Sequence, residues 1–375
     1  MNIYEFGLFF LFILVFLSFF LRNVRLKRKN KNKPVDKKLD FSNRKIFFYP
    51  VAIYLILITG LRNNMYTDYI SYQYNYEFIT KEMTLREIFS KKEPLFGMLQ
   101  KVVGELSDYN TIFFMTILAI ITVYFLTKTI VDDSSLVWLS FFLLLTMGSY
   151  YTCFNTTRSY LAAAIFFWSC KYIYEQNFPK YCLCILLISL IHISTLIFLP
   201  MYWMLPIRWN KKRNVLLATV SILILVYMLF QFKSFVIFVT NFVYTIYEVG
   251  EGKVMSSQTV LTLARPFLFL GIILINFRSF DYNDRKERCW FNAILYWSII
   301  SVFATQISLV QRFTYYLIPF MYLAVPLVVT RSKHKTQKYF WIAFLVFCGI
   351  LYSVLGQFKA PYSFIWEENV HYLDM

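Results

Sequence analysis

The sequence predicts an all-α, polytopic integral membrane protein with about 11–13 transmembrane or re-entrant helices, forming a single membrane domain over 1–375. Three observations predict it. Apolar residues make up 58% of the chain and charged residues only 16%, against about 25% charged in soluble domains. Forty-one Phe and 29 Tyr raise the aromatic share to 21%, and a soluble core cannot hide that much apolar surface. The apolar residues also gather in runs near the roughly 20 residues a helix needs to cross hydrocarbon. These runs are 4–21, 46–60, 111–131, 136–150, 159–175, 181–206, 214–232, 259–277, 290–309, 313–330 and 339–356.

The first run lacks a basic leader, and RNVRLKRKNKNK follows it in place of a small-residue cleavage site, so it reads as an uncleaved helix. Stretch 22–45 carries eleven Lys and Arg. By the positive-inside rule it is a basic cytoplasmic loop, which puts the N-terminus outside. Run 46–60 then leads outward, making 61–110 an extracytoplasmic loop whose residues 81–103 read as an amphipathic surface segment. If 181–206 crossed once, RWNKKR (208–213) and RSKHKTQK (331–338) would fall outside. A helical hairpin over 181–206, turning near His192-Ile193-Ser194, returns both of them and RSFDYNDRKER (278–288) to the cytoplasm. Arms so short are tolerated only inside protein or beside a cavity. Segment 234–248, bounded by Lys233 and Glu248, is too short to cross and lies at the interface or dips in and returns. The net charge of +17 is then an orientation signal and a contact for anionic membrane lipids, with no nucleic acid needed to explain it.

This topology collects the unusual polar residues on the outer face. Arg62 and Asp68 open the outer loop in GLRNNMYTDY, and Glu93 precedes Pro94. Arg158 heads run 159–175, His192 sits at the hairpin tip, Arg265 lies inside run 259–277, and Arg312 stands between two runs. A charge near hydrocarbon costs roughly 2.5 kcal/mol or more, so such residues have partners or chemistry to do. Each has a plainer reading: snorkelling for Arg158 and Arg312, a pair with Glu248 or Glu251 for Arg265, a buried turn for His192, a cap for Asp68 and a pre-proline turn for Glu93. Their convergence on one face carries more weight than any one of them. Guanidinium forks match phosphate oxygens and neutralise a diphosphate leaving group, while Asp68, Glu93 or His192 could deprotonate an attacking hydroxyl. Tyr66, Tyr69, Tyr72, Tyr74, Tyr76 and Phe78 offer flat faces for sugar rings or an interfacial belt. There is no phosphate-cradling GxxxxGK[ST], GxGxxG or HExxH, and the six cysteines show no CxxC or metal spacing.

Five stretches in order, GLRNNMYTDYISYQYNY, KEPLFGMLQKVV, FNTTRSYLAAAIFFWSCKYIYE, LISLIHISTLIFLPMY and QRFTYYLIPF, resemble the EpsG-type, Wzy-like polymerases of bacterial exopolysaccharide, capsule and O-antigen. The resemblance covers roughly residues 50–330. It implies a fold like the integral-membrane C-type glycosyltransferases and a metal-independent glycosyltransferase without cofactor in the bacterial cytoplasmic (inner) membrane. Such an enzyme polymerises lipid-linked oligosaccharide repeat units on the extracytoplasmic face, passing the growing chain from undecaprenyl diphosphate to an incoming unit. Arg158 and Arg312 would clamp the diphosphate, with Arg62 and Arg265 in weaker support. Asp68, Glu93 or His192 would be the base or orient the acceptor, and Tyr69, Tyr72, Tyr315 and Tyr316 would contact sugar. Implied partners are the undecaprenyl-diphosphate-linked oligosaccharide, a chain-length regulator and a flippase. The chain departs from the family at NTTRSYLA, where Ser159 stands in place of a common Gln; this puts the acceptor contacts there in question. A flippase or transporter of lipid-linked oligosaccharide and an O-antigen ligase or acyltransferase are the alternatives, although no inverted pair of halves of the transporter kind is visible.

Overall fold

The computed structural model describes residues 3–28, 37–63, 67–147, 149–209, 260–304, 308–332, 334–355 and 362–366. Among them the chain is all-α, without strands apart from an isolated antiparallel bridge between Arg62 and Phe364. The chain divides into two compact units, Met1–Leu199 with Pro319–Met375, and Pro200–Ile318. Runs 214–232 and 234–248 lie outside the described residues.

In the first unit, α1 (Ile3–Arg28) and α2 (Lys37–Gly60) extend into 22–45 from both sides. Lys and Arg are good helix formers, so a basic stretch can prolong a helix past the hydrocarbon. The described residues of stretch 61–110 are also folded. They form α3 (Thr67–Tyr74), a π-helical turn (Asn75–Thr80), α4 (Leu85–Ser90) and α5 (Pro94–Ser107). A capping box opens α4: Thr84 Oγ1 accepts from the Glu87 N–H at 3.3 Å, and Glu87 Oε2 accepts from the Thr84 N–H at 2.7 Å. Tyr69, Tyr76, Phe96, Val103 and Tyr109 from this stretch are buried against Phe114, Met115, Leu118 and Leu161. Tyr76 stacks on Phe114 with centroids 4.5 Å apart. Each buried apolar side chain of this size is worth about 1.5–3 kcal/mol relative to water, so this stretch is fastened down.

The next helix, α6 (Thr111–Asp133), has 23 residues, about 35 Å, enough to cross a bilayer. By contrast, α7 (Val137–Thr146) has ten residues, only about 15 Å, and is almost entirely buried. A helix apolar all round belongs inside protein, which is why run 136–150 looks like a span in sequence. Ser140 in α7 donates to Tyr322 O at 2.6 Å. Then come α8 (Thr157–Ser169), α9 (Lys171–Tyr174) and α10 (Phe178–Ser189). After α10 the chain breaks and forms a 3-10 helix, Ile193–Phe198. Tyr181 Oη donates to Phe198 O at 2.7 Å, so this segment turns back along α10.

The second unit contains α11 (Met201–Met204), α12 (Val260–Ile275), α13 (Arg285–Ala304) and α14 (Ser308–Leu317). Asn292 on α13 is buried and fastens the segment after α11. Its Nδ2 donates to Leu205 O at 2.7 Å and Ile207 O at 2.9 Å, and its Oδ1 accepts from Trp209 Nε1 at 2.7 Å. The first unit resumes with α15 (Met321–Thr330) and α16 (Lys335–Leu355). Among the described residues, Thr111–Asp133, Val310–Thr330 and Lys335–Leu355 are helical stretches long and apolar enough to cross a membrane, and shorter apolar helices accompany them. The fold is that of an all-α polytopic membrane protein.

α2 and α6 come close at Gly60, where an added Cβ would lie 2.9 Å from Thr116 Cα. Small residues permit such backbone approach between membrane helices. Gly60→Leu is expected to cost about 1–3 kcal/mol and lower the thermal midpoint in detergent. Gly271→Ala, where nothing lies within 4 Å, is the neutral comparison.

Candidate functional site

The site grows out of one residue before a proline. A residue in that position is pushed out of the α region, and Glu93 has φ −128° and ψ 66° as the N-cap of α5. The first amides of α5 have no partner within their own helix. Leu95 N–H and Phe96 N–H donate instead to Leu190 O, at 3.0 and 3.3 Å. That joint sets Glu93 beside the turn after α10. Its Oε1 accepts from the Ile193 N–H at 2.9 Å and lies 3.1 Å from His192 Nδ1. Its Oε2 forms an ion pair with Arg158 Nη1.

Arg158 and Ser159 are consecutive in the first turn of α8. The Arg158 N–H donates to Tyr72 Oη at 3.4 Å, and its guanidinium stands 5.4 Å from the Phe96 ring centroid. Ser159 Oγ lies 3.1 Å from His192 Nε2. These contacts fix the protons. A carboxylate only accepts, so His192 Nδ1 carries hydrogen toward Glu93; in the neutral ring Nε2 then accepts from the Ser159 hydroxyl. Burial pushes the Glu93 pKa up, but the bond from His192, the Arg158 guanidinium and the Ile193 N–H outweigh it and hold it below the usual carboxylate range. His192 is fully buried, whereas the Arg158 side chain is 30% exposed. Arg158 is therefore the member of the cluster with surface to offer a ligand, while its Nε is buried without a partner among the described residues. The helix N-terminus beneath it adds partial positive charge.

The other sequence-selected residues fall in different places. Arg62 is wholly buried. It donates to Thr59 O, to Thr157 Oγ1 at 3.0 Å and to Met115 Sδ at 3.7 Å, between the rings of Tyr69 (5.4 Å) and Phe154 (5.5 Å). Its guanidinium thus holds the start of α8 in place, next to Arg158. Residues 61–63 are covered by 363–365 through Asn63 N–H to Ser363 O at 2.9 Å and Ile365 N–H to Leu61 O at 3.1 Å. Asp68 takes part through its backbone, its N–H donating to Asn155 Oδ1 at 3.1 Å. Tyr69 is buried and Tyr72 half-buried. Arg265, Arg312, Tyr315 and Tyr316 belong to the second unit. There the Arg265 guanidinium lies 5.8 Å from the Trp297 ring centroid, Arg312 is half-buried on α14, and both tyrosines are buried. Asn155 is a contributor that sequence reasoning did not select, and Ser159 was marked there only as a departure from the family pattern beside Arg158. Among the described residues no group of three His, Cys, Asp or Glu is placed to hold a metal.

A carboxylate that grips an arginine and an imidazole among apolar helices defines a membrane protein with a site suited to binding an anion and moving a proton. The profile of the EpsG family matches residues 45–367, and the chain belongs to that family. No curated protein and no solved structure matches. Membership is consistent with a general role in polysaccharide polymerisation at a membrane.

Because its folded-state pKa is depressed, Glu93 contributes stability that is complete above the unfolded-state value, about 4.3, and lost as pH falls through the folded one. Glu93→Gln is expected to destabilise by roughly 1–3 kcal/mol at neutral pH. In thermal melts at a series of pH values, its gap from wild type should persist down to about pH 5 and close in stronger acid.

Proposed function

We propose that this protein polymerises lipid-linked oligosaccharide repeat units on the extracytoplasmic face of the bacterial cytoplasmic membrane. The growing glycan leaves its undecaprenyl diphosphate and joins the sugar of an incoming lipid-linked unit. The observation that carries this reading is the Glu93 bridge between Arg158 and His192. It places a partly exposed guanidinium and an oriented imidazole side by side.

In the proposed reaction, the acceptor hydroxyl attacks the anomeric carbon while the bond from that carbon to the diphosphate oxygen breaks. Arg158 carries part of the charge that develops on the departing diphosphate, and a guanidinium stays protonated throughout. Of Asp68, Glu93 and His192, the imidazole is the best-supported base. Both Glu93 oxygens are already engaged as acceptors. Glu93 orients His192 and stabilises the imidazolium that forms, the usual service of a carboxylate to a catalytic histidine. Arg312 and Arg265 join the diphosphate field by family resemblance, as do Tyr315 and Tyr316 for sugar. A chain-length regulator and a flippase complete the expected partnership. Positive charge in 22–45 and 208–213 supports a cytoplasmic side there, an outer N-terminus and an outward-facing site.

Arg158→Lys and Arg312→Lys are each expected to abolish long chains at normal protein level, because a lysine cannot reproduce the planar fork. Single repeat units should then accumulate on lipid outside the membrane. Units retained inside would indicate a flippase, and long chains kept on the carrier a ligase. For the orientation, Asn210→Cys should resist an impermeant thiol reagent applied to whole cells; labelling from outside would reverse the assigned sides.

A further inference from the structure

The buried histidine poses a problem of access. Nδ1 of His192 is committed to Glu93 at 3.1 Å, and Nε2 faces Ser159 Oγ at 3.1 Å. The imidazole is fully buried, so an acceptor hydroxyl cannot reach Nε2 without displacing the serine. Ser159 itself is 4% exposed, and it neighbours Arg158, the one group of the cluster with substantial exposure. Its hydroxyl donates to Nε2 and keeps two lone pairs for an incoming donor.

We propose that Ser159 is a catalytic proton relay between the acceptor sugar and His192. The acceptor O–H bond breaks and its proton forms a new O–H bond on Ser159 Oγ. The proton that Ser159 held passes to His192 Nε2, and the acceptor's electron pair closes the bond to the anomeric carbon as the diphosphate leaves. The serine ends neutral, and the imidazolium charge rests against the Glu93 carboxylate. This step rests on the glycosyl-transfer reading above and deepens it, with the relay and the diphosphate clamp on successive residues of one helical turn. The serine that departs from the family pattern thereby acquires a function in this chain.

Two measurements on the full-length chain test the relay, and the first is independent of turnover. A thiol placed at this position pairs with the imidazole as thiolate and imidazolium and reacts at low pH. In Ser159→Cys, alkylation of residue 159 by iodoacetamide at about pH 6.5, read by peptide mass spectrometry, should be at least about tenfold faster than in the same variant carrying His192→Gln. Equal rates, or no alkylation at all, would overturn the relay, since an acceptor hydroxyl needs the same approach. The second follows transfer between synthetic lipid-linked repeat units in liposomes. Ser159→Ala should lower kcat about 100-fold with little change in KM, and Ser159→Thr should restore most of it. His192→Gln should then slow Ser159→Ala hardly further, as residues acting as a unit are not additive. Near-normal kcat in Ser159→Ala, a full further loss on adding His192→Gln, or a sugar found covalently attached to Ser159 would each overturn the relay. If the wild-type chain transfers no sugar, the polymerase reading itself fails, whereas normal wild-type transfer with an unaffected Ser159→Ala removes the relay alone.

Discussion

One carboxylate ties together three parts of the chain that are distant in sequence. Glu93 binds Arg158 from the start of α8 and both His192 and the Ile193 amide from the turn after α10. Without its charge, a guanidinium and an imidazole N–H would be left in a poorly solvated place with no acceptor, which is far more costly there than in water. The same bond set fixes the tautomer of His192, and hence which nitrogen can take a proton. Position, charge and proton inventory all follow from that anion. Its own placement follows from the proline after it and from the Leu190 carbonyl that takes the first amides of α5.

The bridge sits beside a stretch, 67–107, that is itself folded. Tyr76 and Phe96 bury against α6, and Arg62 ties residue 59 to residue 157 from inside. Arg62 and Arg158 thereby divide two duties that look alike in sequence. The wholly buried one stabilises the base of α8, whereas the partly exposed one is free to meet an anion. Among the described residues the cluster is thus anchored inside the protein and reaches its surface at the Arg158 guanidinium.

The fold class was legible because composition alone rules out a soluble core, and long runs such as that of α6 span by length. Other features were not. Run 136–150 reads as a span because its residues are apolar, but hydropathy cannot distinguish lipid from protein as the surroundings, and α7 is buried in protein. Stretch 61–110 looked like a loop because its helices are short and interrupted at Lys91 and Asp108. Within the site, charge cost at a membrane singled out Glu93, Arg158 and His192, but no periodicity links residues 99 positions apart, as Glu93 and His192 are. Ser159 stood out only as a departure from the family pattern, because a lone serine carries no charge cost that demands a partner. Arg62 attracted attention for the right reason, its charge, although burial gives it an internal use.

The site therefore stands on coupling between Glu93 and its partners. The most direct measurement is a double-mutant cycle on thermal unfolding in detergent, with Glu93→Gln, Arg158→Gln and the pair together. A coupling of roughly 1–3 kcal/mol is expected, as for residues sharing one network. Effects that add within about 0.5 kcal/mol would contradict the bridge and the site built on it.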